Sequence, residues 1–164
     1  MAPTAAQLIE HLHLEPLPGE GGYFRQTSRR PTASAIFFLL TPGDFSALHR
    51  ITQDEVWHYY AGDRVEHVQF AADGAVQVAR MGSDVLAGDQ PQVVVPAGAW
   101  QGARIAPSAG DGAGYALMGC TVSPPWDERG FELGGRAVLR AEFPAPTPPA
   151  ALPLRTSCRV PARA

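Results

Sequence analysis

Between Phe45 and Gly62 the chain reads FSALHRITQDEVWHYYAG, a run that sets His49, His58, Arg50, Asp54 and Glu55 among apolar and aromatic neighbours. An imidazole titrates near neutral pH, and a carboxylate beside it orients the ring and stabilises its charged form. His49 with Glu55 can therefore move a proton. The same two groups become metal ligands when a third good donor joins them. A His and a Glu on neighbouring strands can also be a plain hydrogen-bonded pair, but burying charge without a use is costly, which favours a function for these two. Strict alternation puts Trp57 and Tyr59 on the face of Glu55, turns His58 outward unless a bulge intervenes, and sends Arg50 away from His49.

The separations of Gly43, His49, Glu55 and Gly62 match the first signature of the cupin superfamily: a glycine, five residues, His-x-His, a short gap, Glu, six residues, a glycine. The second signature, Pro-x-Gly-x-x-His, is echoed by Pro96, Gly98 and Gln101 in VPAGAWQGARI. Ile51 stands where the second histidine of the pair would be, and Gln101 where the later one would be. The combination of EGGYFRQT, FLLTPGDFSALHR, DEVWHYYAGD, VVPAGAWQGAR, GYALMGCTVSPPWD and FELGGR resembles the small cupin family 5, or DUF985, in which a Gln at that place is usual. The resemblance covers Leu8 to Phe143. It implies an all-β double-stranded β-helix, an RmlC-like jelly-roll barrel with a short N-terminal helix, paired as a homodimer with one pocket per subunit. It implies no particular activity, because a shared fold leaves chemistry open.

In the cupin arrangement residues two apart on a strand share a face, so His49 and a Glu on the next strand converge inside the barrel. A single divalent ion (Zn, Fe, Ni or Mn) would be held by His49, Glu55 and Gln101. Ile51 removes one imidazole, and the Gln101 amide is a poor ligand, so the favoured reading requires no cofactor. Catalysis then resembles that of metal-free cupin sugar epimerases, with His49 as base or acid, Glu55 as its partner and Gln101 as a hydrogen-bond donor to a substrate oxygen. Arg25 would anchor an anionic group. Tyr23, Phe38, Trp57, Tyr59 and Trp100 would supply aromatic walls, although core packing explains any one of them as well. Cys120 reads as a small apolar filler, His11, His13 and His67 as exposed, and Glu132 with Arg136 as braces at the barrel end. The expected function is an enzyme acting on a small molecule by proton transfer: isomerisation, epimerisation or cyclisation. A metal-dependent oxygenase or lyase, and a non-catalytic small-molecule binding protein, are the alternatives.

The elements needed to hold these residues are legible from pattern. Thr4 followed by Gln7 fits a capping box, and Leu8, Ile9 and Leu12 then share one side of a helix ending near His13. Tyr23 to Thr27 predicts a strand, AIFFLL one covered on both faces, and SALHRI, EVWHYY, VEHVQFA, AVQVARM, PQVVVP, WQGARI and YALMGCTV the rest, with Asp73-Gly74 as a hairpin turn. Short strands at this spacing predict a β-sandwich or barrel. AVLRAEF reads as a helix or a last strand. One domain spans residues 1–143, and the Pro/Ala-rich residues 144–164 read as a mobile tail or an arm on a partner. A net charge of -3, with 13 scattered Lys and Arg, argues against a nucleic-acid surface. The longest apolar run is too short for a membrane span, and neither a secretory pattern nor a paired-cysteine motif occurs, so a cytoplasmic location with reduced thiols is expected.

Overall fold

The computed structural model describes residues 2–71, 75–107, 110, 112–135, 138, 141 and 142. Helix α1 (Ala5–His11) begins with a full capping box, in which Gln7 N donates to Thr4 Oγ1 and Thr4 N to Gln7 Oε1. Leu8, Ile9 and Leu12 pack on Leu14, Leu39 and Tyr115, so the helix is held by its apolar stripe rather than by its length.

Eleven strands follow among the described residues: β1 (Glu15–Pro16), β2 (Tyr23–Arg29), β3 (Ser34–Leu40), β4 (Phe45–Arg50), β5 (Asp54–Gly62), β6 (Val65–Phe70), β7 (Val76–Met81), β8 (Gln92–Val95), β9 (Trp100–Ile105), β10 (Ala116–Ser123) and β11 (Glu132–Leu133). They form two antiparallel sheets, ordered β1-β2-β3-β10-β5-β8 and β11-β4-β9-β6-β7. This is the expected jelly-roll barrel with its short N-terminal helix. Phe38, Leu40, Trp57, Val65, Met81 and Met118 meet in the core between the sheets. β3 is covered on both sides as its unbroken apolar run predicts: Phe38 and Leu40 enter that core, while Leu39 lies in the cluster with α1.

Two bulges set which side chains face the interior. In β2 the register against β3 shifts between Gln26 and Ser28, so Gln26 pairs with Ile36 and Arg29 with Ser34. In β4 the register against β9 shifts between Ser46 and His49, which face Ala103 and Gln101 respectively. The extra residue in β4 lets Ser46 and His49, three apart, share the inner side.

Two expectations about single residues are corrected. His67 is fully buried, because it stands two residues from Val65 on the inward side of β6. Trp100 belongs to a separate cluster with Leu48, Val68 and Phe70, where Arg50 lies 4.5 Å over its ring and Glu142 accepts from its Nε1. Glu132 pairs with Arg50 at 2.7 Å, whereas Arg136 lies outside the described residues, as do the Asp73-Gly74 turn and residues 143–164. Within AVLRAEF, positions 138, 141 and 142 are helical. No helix among the described residues is long and apolar enough to cross a membrane.

Candidate functional site

A cavity of about 550 Å³ opens between the sheets, within the range of small-molecule sites. His49 and Glu55 form part of its buried floor, with Phe38 and Ile51 beside them. Ile51 faces the cavity two residues from His49, so the place of the second cupin histidine is filled by an aliphatic side chain.

His49 is held by backbone. Its Nδ1 lies 2.8 Å from the Ala47 carbonyl, and a carbonyl can only accept, so Nδ1 carries the proton. Nε2 has no partner among the described residues. The ring stacks on Phe131, with centroids 5.5 Å apart and planes at 28°. Glu20 approaches Nδ1 at 3.8 Å, accepts a 2.8 Å bond from Ser46 Oγ, and through its own carbonyl accepts from Ala47 N at 2.7 Å. The loop before β2 is thereby tied to β4. Gly21 permits this approach: its φ is +101°, and its missing Cβ would stand 2.4 Å from the Phe45 carbonyl oxygen.

Glu55 is held by side chains. Gln101 Nε2 donates to its Oε2 at 2.5 Å, and Gln101 Oε1 accepts from Trp57 Nε1 at 2.8 Å. An indole nitrogen only donates, so the amide orientation is fixed. His67 Nε2 stands 3.3 Å from the same Oε1, which places its proton on Nε2, and its Nδ1 has no partner among the described residues. Burial lowers the His67 pKa to about 4, so this imidazole is neutral. Burial raises the Glu55 pKa above the ordinary carboxylate value, with Glu20 adding to the rise; His49 and the bonds from Gln101 and Cys120 act in the opposite direction. Cys120 also borders the cavity, and burial pushes its thiol well above the usual range, so it stays protonated.

The other sequence candidates separate by strand parity. Tyr23 packs in the outer cluster beneath α1, and Arg25 lies 5.4 Å over the Phe37 ring on the same outer face. Their neighbours Phe24 and Gln26 line the cavity instead. Trp57 and Gln101 are buried one layer behind Glu55 rather than at the cavity wall, with Trp57 edge-on to both Phe38 and His67. Tyr59 packs against the core and donates to the Gly62 carbonyl at 2.5 Å. His58 points outward as alternation requires, between Thr121 and Gln92. Sequence reasoning missed Glu20, Phe24, Gln26, Arg29 and Phe131. The EGGYFRQT motif contained the signal for the first four or their neighbours, because a carboxylate before two glycines marks a close backbone approach.

The donor set does not fit a metal ion. Among the described residues no group of three His, Cys, Asp or Glu side chains is arranged to hold one, Ile51 offers no donor, and both ends of the Gln101 amide are committed to protein groups.

Residues 6–134 match the model of a family described as Cupin superfamily (DUF985). A hypothetical protein from Leishmania major is 33% identical, with a TM-score of 0.81 over 87% of this chain and 93% of its own. A Shewanella oneidensis protein is 34% identical, with a TM-score of 0.78 over 87% of this chain and 92% of its own. Bacillus subtilis oxalate decarboxylase shares the fold at 14% identity and a TM-score of 0.57, over 81% of this chain and 35% of the decarboxylase. No curated protein matches the chain.

Proposed function

The chain belongs to the DUF985 family of the cupin superfamily, and from that premise we propose that it is an enzyme that isomerises or epimerises a small organic molecule by proton transfer. The observation that carries this reading is the pairing, on one cavity floor, of an imidazole whose Nε2 has no partner among the described residues and a carboxyl group whose pKa burial raises. Two groups poised on opposite sides of a proton exchange are what such a reaction needs.

In this scheme His49 Nε2 takes the proton from a C–H beside a carbonyl, so the C–H bond breaks and the N–H bond forms. The imidazolium is held by the Ala47 carbonyl and by Glu20, while Glu55 gives its proton to the oxygen on which charge develops. Return of both protons, with the first delivered to another position or the other face, completes the cycle without an external reductant or oxidant. Gln101 holds Glu55 through Oε2, which leaves Oε1 as the oxygen that carries the proton. Gln101 and Trp57 are positioning residues in this account.

The test is incubation of a defined set of small carbonyl compounds with the full chain in D2O, read by mass spectrometry for gained deuterium. Wild type is expected to label at least one compound, and His49→Ala to abolish the labelling while retaining most of the binding. Labelling that survives His49→Ala at full rate, or no labelling of any compound, overturns the reading. In the second case retention of an unaltered ligand would favour a binding protein.

A further inference from the structure

We propose that the cavity selects a ligand with a protonated amine on an apolar body. The inference rests on the cavity taken above as the reaction site and specifies the class of molecule that enters it. It reverses the anionic substrate that the sequence suggested.

Charge at the opening is the first observation. Glu15, Glu20 and Glu128 line the cavity in addition to Glu55. The exposed positions of Glu15 and Glu128 put them at its mouth, with Glu20 further in. Arg29 is the one lysine or arginine among the described lining residues, and its guanidinium is engaged with the Trp126 carbonyl at 2.9 Å. Arg25, the intended anchor for an anion, is on the far side of the sheet over Phe37. A carboxylate or phosphate entering here would meet three carboxylates between apolar walls, where the field is focused rather than screened.

An acidic rim alone would be only a solvated edge. Two further observations point inward to a ligand. His49 is 3% exposed and lines the cavity with its Nε2 lacking any partner among the described residues, a polar atom left open in a buried place. Trp126 and Phe131 stand together on the wall beside Glu128, with ring centroids 6.3 Å apart and planes at 58°. Aromatic faces attract ammonium groups through the ring quadrupole, most strongly with carboxylates nearby. Phe24, Ile36, Phe38 and Val122 make the interior apolar. A molecule with its ammonium group at Glu15, Glu128 and Trp126, and its hydrocarbon body inward, matches both ends and brings its reacting carbon toward His49.

The experiment compares 2-phenylethylamine with 3-phenylpropanoate, which share a ring and chain length and differ in charge, by calorimetric titration of the full chain at pH 7 and low salt. The amine is expected to bind about tenfold more tightly or better, and Glu15→Gln with Glu128→Gln to reduce that preference to about threefold or less. Both substitutions fall at exposed positions, and a thermal unfolding scan verifies that the variant is folded. Equal or tighter binding of the acid overturns the inference, as does an amine preference untouched by the double substitution, or no binding of either probe at about 10 mM. The deuterium-labelling test is separate. Labelling confined to acids removes this inference and leaves the proton-transfer reading in place, whereas amine selectivity without labelling does the opposite.

Discussion

Gln101 donates one amide hydrogen to Glu55 across 2.5 Å while its oxygen accepts from the indole of Trp57 at 2.8 Å. The amide cannot be reversed without facing two donors with a donor. Replacing Gln101 with Met, similar in length and apolar, takes its partner from the Trp57 N–H, the His67 Nε2–H and a Glu55 oxygen, all buried. Each such group costs about 1–3 kcal/mol, so Gln101→Met should lower unfolding free energy by about 3 kcal/mol or more in urea titrations. A loss well under 1 kcal/mol would mean that the amide does not hold Glu55.

Glu55 makes stability fall with rising pH. Its folded pKa lies above the unfolded value of 4.5, so the folded chain binds this proton more tightly. The contribution is whole below pH 4.5 and is lost as pH climbs through the folded pKa. Glu55→Gln should flatten that decline and be relatively more stable than wild type at pH 8 than at pH 5, as urea midpoints will show. Parallel pH profiles for the two proteins would contradict it.

His67 acts in the opposite sense. With its pKa lowered from 6.5 to about 4, the unfolded chain takes up the proton first, so stability present above pH 6.5 is lost as pH falls toward 4. The full span is worth about 3 kcal/mol. His67→Phe keeps a flat ring against Trp57 and removes the titration, so its stability should change less over that interval than that of wild type. Between pH 4.5 and 6.5 the two groups oppose each other, and each variant therefore has to be compared with wild type rather than with the other.

Gly21 and Gly43 form a natural pair of controls for the tie between the loop and β4. Both have positive φ, +101° and +92°, but a Cβ at Gly43 meets nothing, whereas one at Gly21 meets the Phe45 carbonyl oxygen at 2.4 Å. Gly43→Ala should cost about 1 kcal/mol or slightly more for conformation alone, and Gly21→Ala clearly more. Thermal unfolding measures both. Equal losses would show that the loop yields freely.

Much of this architecture can be read from the sequence because cupin motifs are spaced by strand geometry. Gly43, His49, Glu55 and Gly62 mark the ends and inward positions of β4 and β5, and two-residue alternation correctly brings His49, Ile51 and Glu55 to one cavity. Alternation fails where the pattern is ambiguous. Tyr23 and Phe24 are both aromatic, so type alone does not say which turns inward, and the β2 bulge then brings Arg29 rather than Ser28 to the cavity. His67 was misjudged from its polarity, although Val65, two residues before it, already marked the inner face. For Gln101 the sequence located the right face but not the depth. An amide beside a carboxylate and an indole can satisfy itself completely within the protein, and only coordinates distinguish that from an amide awaiting a ligand.

The additional residue in β4 means that this strand's facing is set by chain length as well as by side-chain type. Loss of one codon between Ser46 and His49 would leave them two apart, a spacing that an unbulged strand also keeps on one side, whereas loss of the Arg50 codon would turn Ile51 off the side that His49 occupies, with every remaining residue unchanged. The second frame-preserving deletion should therefore be a far harsher lesion than the first, and length variation within this strand ought to collect at its spare residue.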